Sequence, residues 1–459
     1  MPRYKIWHHI LFEFYFGPLM GMLGLCVSSI AKRRSPITAL WAFPFLWVSL
    51  EFFRSNFIFL SIPWALLGHS QYQNLMIIQP AAITGAYGIS FLLAFGNAAI
   101  AAGVLYLLKL ILKTPRPSFN LISKRSVLRI IVAAVGLTLV FLGYGRLNIS
   151  VPPTTQSIRI SVLQGNINQE KKSNPSKYAK QIMQTYIDLT TAAADQEPEL
   201  VVWPEAATPG FILKNMAHMN QVVPLIRETD AYFLIGSSEY PKFQKGLKFD
   251  KEKYGNTALF FSPKGKVLGQ YLKIHLVPFG ETIPYEGIIP WPSFIVSKEK
   301  RSFEVPGKEF TLFNLENETF GVLICWEVVF PDLFRTFVKN GAGFMLNITN
   351  EGWFGDTAAP YQMLAINVFR AVENRVVLAR AANTGISCFI DPTGKITGMV
   401  EDRKGKATFV QGFLTQDVNI HHKKTFYTRY GDVFVYCILF VTALLITVTV
   451  FKPKNSSRT

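Results

Sequence analysis

The sequence predicts a layered α/β domain inserted between transmembrane α-helices, and three observations carry that reading. Long apolar runs sit at both ends of the chain, four before the centre and one after it. Between them, from about residue 158 to 427, short strand-like runs alternate with helical ones. Turn sequences such as Ser262-Pro263-Lys264-Gly265 and Asp391-Pro392-Thr393-Gly394 separate strand-like runs, as hairpins require.

The apolar runs cover about residues 14–31, 36–50, 83–108, 127–144 and 433–451. Lengths near about 20 residues suit a hydrocarbon core of about 30 Å. The second run is short, ends at Glu51 and Arg54, and has room to continue through Phe52 and Phe53. A buried soluble helix would explain one such run but not five. Composition agrees: 38 of the 459 residues are Phe.

Basic loops set the orientation. Lys32, Arg33 and Arg34 follow the first run. Lys109, Lys113, Arg116, Lys124, Arg125 and Arg129 lie between or beside the third and fourth. Lys452, Lys454 and Arg458 follow the fifth. With alternating helices all three groups fall on one side, which the positive-inside rule makes cytoplasmic. The segment between the fourth and fifth runs then lies outside. Residues 57–78, with Pro63-Trp64 and Gly68, lie outside too or dip into the interface. This topology puts Met1 outside, although Pro2, Arg3, Lys5, His8 and His9 make a basic start that prefers the cytoplasm. The conflict predicts further helices upstream of Met1. The formal net charge of +17 thus belongs largely to helix flanks, and no nucleic-acid partner is expected.

In the central segment, strands are predicted at 158–162, 200–203, 232–235, 257–261, 267–272, 321–325, 344–348, 386–390 and 408–412. Helices are predicted at 175–194, 216–229, 331–340 and 359–380. Domains follow: a membrane domain over 1–156, a catalytic domain over 157–428, and a final helix with its tail over 429–459.

Three strand ends carry chemistry. Glu205 follows Leu200-Val201-Val202-Trp203-Pro204. Lys273 follows Gly269-Gln270-Tyr271-Leu272. Cys325 follows Gly321-Val322-Leu323-Ile324 and precedes Trp326 and Glu327. Strand ends are where α/β folds gather reactive groups. A carboxylate takes a thiol proton, and an ammonium stabilises the thiolate and then an oxyanion. Together the three make a metal-free acyl-transfer site. Each alone has a plainer explanation: a buried small hydrophobe, a solvated lysine, a helix-opening acid. No C-x-x-C pair occurs among Cys26, Cys325, Cys388 and Cys437. Cys26 and Cys437 lie in apolar runs, and Cys325 and Cys388 are expected to stay reduced. His275, His421 and His422 read as non-ligands, so neither metal nor cofactor is expected.

The local contexts resemble the carbon–nitrogen hydrolase (nitrilase) superfamily and its Glu-Lys-Cys triad. The resemblance rests on Val202-Trp203-Pro204-Glu205, Tyr271-Leu272-Lys273 and Leu323-Ile324-Cys325-Trp326-Glu327. The runs Asn347 to Gly355 and Arg380 to Ser387 add to it. Within that superfamily the chain resembles the apolipoprotein N-acyltransferases. Leu276-Val277-Pro278-Phe279-Gly280-Glu281, and Pro63 to Gly68 with Gly85 to Leu92, carry this narrower likeness.

The resemblance implies an αββα sandwich and a two-step reaction. Glu205 is the implied base, Cys325 the nucleophile that forms a thioester, and Lys273 the oxyanion partner. A membrane phospholipid is the acyl donor and the free amine of a diacylated apolipoprotein the acceptor. Glu281, Glu327 and Trp326 are supporting residues; Asn350, Trp353 and Phe354 line the site. Trp64 is an interfacial anchor or lipid guide. The protein is expected to be a monomer in the bacterial inner membrane, with its catalytic domain periplasmic.

Two departures stand out. Trp326 replaces the tyrosine usual after the nucleophile, and the stretch Gln169 to Asn174 lacks a tryptophan the family often carries. The family also usually has about three more N-terminal helices. Two alternatives remain: a membrane-bound amidase acting on small amides, and a non-catalytic binding protein on the same scaffold.

Overall fold

The computed structural model describes residues 6–57, 61–112, 122–150, 156–240, 254–292 and 304–451. The expectations for Pro2, Arg3, Lys5, Lys113, Arg116, Lys452, Lys454 and Arg458 fall outside those residues. Two compact units emerge: residues 1–150 with 430–459, and residues 151–429.

In the first unit, five helices among the described residues are long and apolar enough to cross a membrane: Ile6–Arg33, Pro36–Asn56, Ala86–Leu112, Lys124–Asn148 and Val433–Phe451. His8 and His9 fall inside the first rather than before it. Ser35 caps the second, its Oγ accepting from Thr38 N at 3.1 Å, with Pro36 opening the helix. Ser123 caps the fourth in the same way. The third starts at Ala86 instead of residue 83, because Gly85 takes φ +64° and breaks the chain direction.

The second helix runs past residue 50 to Asn56 with Glu51 and Arg54 both buried. Buried charges in an apolar helix need partners. Glu51 Oε1 accepts from Leu67 N at 2.7 Å, and Arg54 Nη1 donates to the Trp64 carbonyl at 2.8 Å. These bonds tie down the connection, which forms a 3₁₀ turn at Leu67–Gln71 and short helices at Leu75–Ile78 and Ala81–Thr84.

The second unit is built on two six-stranded sheets. The first contains β1 (Ser157–Gln164), β2 (Leu200–Val202), β3 (Tyr232–Glu239), β4 (Gly255–Phe261), β5 (Val267–Leu272) and β12 (Gly412–Asn419), in the order β12-β1-β2-β3-β4-β5. The second contains β6 (Leu312–Leu315), β7 (Glu318–Ile324), β8 (Phe344–Thr349), β9 (Val377–Ala382), β10 (Cys388–Ile390) and β11 (Ile396–Met399), in the order β11-β10-β9-β8-β7-β6. The central pairs β1–β2, β2–β3, β7–β8 and β8–β9 are parallel, and the outer pairs antiparallel. The central strands are buried on both faces, as parallel strands between two layers must be.

The sheets face each other. Phe260 of β4 meets Phe320 of β7 edge-on at 5.2 Å, and β1 packs on β9. Helices Pro175–Ala194 and Met216–Thr229 cover the outer face of the first sheet through Ile182, Met183, Tyr186, Val222 and Ile226. Helices Pro331–Lys339 and Ala359–Asn374 cover the second. The αββα sandwich is therefore observed. Both predicted hairpins form, with Gly265 and Gly394 at φ +77° and +85°.

Two elements differ from expectation. The run 359–380 is not one helix: it stops at Asn374, Arg375 takes a left-handed cap at φ +55°, and Val377–Ala382 becomes β9. Residues 408–411 are not a strand. Gln164 Nε2 donates to the Ala407 and Val410 carbonyls, and Asn166 Nδ2 to that of Phe409, so side chains replace a ladder there. The strand begins at Gly412 instead. Strands β6 and β11 were not predicted.

Candidate active site

Glu205 lies just past β2, where Trp203 N still bonds the Leu234 carbonyl of β3. The chain then crosses Gly236 so closely that a Cβ there would lie 2.2 Å from the Pro204 carbonyl oxygen and 2.7 Å from Glu205 Cα. Only glycine admits this path, which turns the Glu205 side chain into the interior. The carboxylate is buried and fully engaged. Oε1 accepts from Asn256 Nδ2 at 2.7 Å and Lys273 Nζ at 3.4 Å, and Oε2 from Asn350 N at 2.6 Å.

Lys273 extends β5 by one residue. Its backbone N–H bonds Asn256 O at 2.9 Å, and its carbonyl accepts from Gly307 N at 2.7 Å. The wholly buried ammonium meets Glu281 Oε1 at 2.6 Å as well as Glu205. Glu281 is fixed in turn, its Oε2 accepting from Val277 N at 2.8 Å. Burial works against the charge on Lys273, but the carboxylates of Glu205 and Glu281 outweigh it and hold the ammonium well above its ordinary range.

Cys325 ends β7 at a sharp turn with φ +57°, a left-handed conformation for a residue with a Cβ. Glu327 and Asn347 hold that turn. Glu327 Oε2 accepts from Ile324 N at 2.8 Å, and Oε1 from Ile274 N at 2.7 Å and His275 N at 3.1 Å. Tyr271 OH donates to the same carboxyl at 2.9 Å. Glu327 thus staples the Lys273 strand end to the Cys325 strand end. Burial pushes this carboxyl up to about 7, against the pull of those N–H groups and Lys273. On the other side, Asn347 Nδ2 donates to the carbonyls of Leu323 and Cys325 at 3.1 and 3.3 Å. Arg380 Nε fixes Asn347 Oδ1 at 3.1 Å, and Glu351 pairs with the same guanidinium.

Burial raises the Cys325 thiol, and the Glu205 carboxylate raises it further; Lys273 pulls the other way without prevailing. The resting group is therefore a thiol, and attack requires a base.

The other predicted residues divide. Glu281, Glu327 and Asn350 stand at the triad as described. Trp326 is half-buried, edge-on to Phe330 at 5.1 Å, and its buried Nε1 has no hydrogen-bond partner among the described residues. Asn350 engages through its backbone; its side chain accepts from Asn383 at 2.9 Å and donates to Gln169 at 3.3 Å. Trp353 and Phe354 follow on the turn Glu351–Phe354, with Trp353 58% exposed and Phe354 half-buried. Trp64 belongs to the other unit, where Arg54 holds its carbonyl. His422, read as a non-ligand, meets Glu318 at 3.2 Å. Among the described residues no His, Cys, Asp and Glu group is arranged to hold a metal.

Several residues at the site had no predicted role. Asn256, Asn347, Arg380 and Glu351 act through contacts between strands. Lys172 Nζ donates to the Glu205 carbonyl at 3.1 Å from the short helix Gln169–Ser173. Glu304 brings a further carboxyl toward Glu281 and Lys273; burial and the Glu281 carboxylate push it up to about 8, against the pull of Lys273.

The chain has relatives among known proteins. Residues 159–411 match the carbon-nitrogen hydrolase family, and residues 2–99 match the apolipoprotein N-acyltransferase N-terminal domain. The apolipoprotein N-acyltransferase of Geobacter metallireducens is 36% identical over 449 residues, 95% of this chain and 81% of that protein. That of Chlorobaculum tepidum is 27% identical over 95% of this chain and 82% of its own length. Apolipoprotein N-acyltransferase 1 of Treponema denticola is 30% identical over 89% of this chain and 77% of its own length. Matching both the triad-bearing unit and the membrane-type helices, the chain belongs to the apolipoprotein N-acyltransferase family.

Proposed function

We propose that the chain transfers an acyl chain from a membrane phospholipid to the free N-terminal amine of a diacylglyceryl-cysteine apolipoprotein, through a thioester on Cys325. As an acyltransferase of this family it N-acylates lipoproteins. In the first half, Glu205 takes the thiol proton as Sγ attacks the phospholipid ester carbonyl. Lys273, helped by the backbone N–H of Trp326, stabilises the oxyanion. Collapse breaks the ester C–O bond, Glu205 returns the proton to the departing alkoxide, and lysophospholipid leaves. In the second half the acceptor amine attacks the thioester carbonyl, and the C–S bond breaks. A proton from nitrogen passes through Glu205 to Sγ, leaving the amide and the restored thiol.

The observation that carries this reading is the meeting of Glu205 and Lys273 at 3.4 Å beside a cysteine held at a strained strand end. The catalytic domain is residues 157–428, and the protein acts as a monomer in the bacterial inner membrane with that domain periplasmic. Both substrates are lipids, which accords with membrane-type helices in the same chain. The amidase alternative is disfavoured, because relatives aligned over both units are N-acyltransferases.

Complementation tests the reading. In a strain depleted of its own N-acyltransferase, the wild-type chain restores growth and mass spectrometry finds a third acyl chain on lipoprotein N-termini; Cys325→Ala does neither. Diacyl lipoproteins persisting with the wild-type chain expressed in the membrane would refute it.

A further inference from the structure

The acceptor's protons expose a gap in the triad, on the reading of function just given. A lipoprotein α-amine arrives largely as an ammonium at neutral pH, its ordinary range being about 7.7–8.0. The product amide keeps one hydrogen on nitrogen. Glu205 conducts a second to Sγ of Cys325. The third has no acceptor in the triad: Lys273 is held as an ammonium, and Glu281 is committed to it at 2.6 Å.

We propose that Lys172 takes this first proton from the incoming ammonium and passes it to solvent. Its Nζ sits 3.1 Å from the backbone carbonyl of Glu205, the residue that handles the next proton. It is half-buried, so it reaches both site and water. Its helix is docked to the site a second time through Gln169 Oε1, which accepts from Asn350 Nδ2 at 3.3 Å.

The charges around Lys172 suit the task. Burial lowers its ammonium to about 8, while Glu205 and Cys325 pull weakly the other way. Its own short helix carries Glu170 and Lys171, and the packed helix Pro175–Ala194 carries Lys177. Glu351, on the neighbouring turn, is committed to Arg380. Lys172 therefore matches the α-amine in basicity, and proton transfer between them is nearly level in free energy. The step balances in the neutral fraction of Lys172, a minority near neutral pH: neutral Nζ gains one proton, the amine lone pair attacks the thioester carbon, and the C–S electrons leave with sulfur. Sulfur then takes the proton relayed by Glu205. Lys172 ends as an ammonium and releases its proton to water.

The test uses the full-length protein in detergent, as wild type, Lys172→Arg and Lys172→Gln. Each is loaded with phospholipid, and the acyl-enzyme is recorded by mass. Discharge follows with a diacylglyceryl-cysteine peptide bearing a free amine, or with hydroxylamine, which is too weakly basic to arrive protonated. Both variants should load. Transfer to the peptide near neutral pH should then fall roughly tenfold or more in both, while hydroxylamine discharge keeps pace with wild type. At about pH 9, where the α-amine is mostly free, the defect should shrink. Equal slowing with both acceptors, a defect in Lys172→Gln alone, or variants that fail to load would overturn the proposal, because each points to a positional or purely electrostatic lysine. A wild-type protein that never loads would overturn the underlying function instead.

Discussion

At the residue scale, the site reads as a proton-handling problem. Cys325 rests as a thiol because burial and the facing Glu205 carboxylate disfavour its anion. In the proposed mechanism, the carboxylate that removes the proton thus also disfavours a standing thiolate. Removing it has two opposite effects. Glu205→Gln should abolish acyl transfer, with a loss on the order of 10²-fold or more for a missing general base. Yet it removes a like charge, so the Cys325 thiol falls in pKa and its thiolate fraction rises at any given pH below that pKa. The pH profile of Cys325 alkylation by a small haloacetamide, followed by mass shift against time, should accordingly have its midpoint at lower pH in Glu205→Gln than in wild type. A midpoint unchanged or moved to higher pH would mean that Glu205 does not face the thiol. Lys273→Met should do the reverse to the thiol, raising its pKa further and slowing alkylation, besides stopping transfer.

At the scale of elements, the site is three strand ends fastened together by groups that never meet substrate in the mechanism. Glu327 accepts from Tyr271, Ile274, His275 and Ile324, and so joins the ends of β5 and β7. Glu327→Gln would turn an amide N–H₂ toward one of those donors and leave a buried N–H or O–H unpaired, at about 1–3 kcal/mol per orphaned group. Its transfer rate should drop sharply, with a lowered thermal midpoint for the purified protein. An unchanged midpoint would remove Glu327 from this fastening role. The strand ends themselves were legible in the sequence, since each reactive residue follows a short β-rich run. Of the fasteners, Glu327 was legible as a supporting residue beside the nucleophile, but the role of Asn347 was not: its placing depends on Arg380, which sits 33 positions away in sequence and is itself placed by Glu351. The same physics hid β9. Val376 to Ala382 is a continuous apolar run apart from Arg380, and a strand buried on both faces has no alternation to distinguish it from a buried helix. Arg380 lies in that run as a fully buried cation, which only its partners explain.

At the scale of the molecule, the five membrane-type helices were the most legible feature, because apolar length is a local property that needs no tertiary contact. What sequence could not supply is the use of Glu51 and Arg54. They lie buried near the end of a span and fold the following connection back onto it through Leu67 and Trp64. Arg54→Leu should leave the Trp64 carbonyl and the Glu51 charge less satisfied. It should lower the thermal stability of the detergent-purified protein while leaving haloacetamide labelling of Cys325 intact at low temperature. The central claim, however, concerns covalent chemistry at one sulfur atom. Its most direct test is intact-protein mass spectrometry after exposure to phospholipid of defined acyl chain, without acceptor. The account predicts a mass gain of one acyl group, mapped to Cys325, released by hydroxylamine, absent in Cys325→Ala, and lost when a diacylglyceryl-cysteine peptide is added. Acylation of another residue, or N-acylated peptide formed by Cys325→Ala, would contradict it.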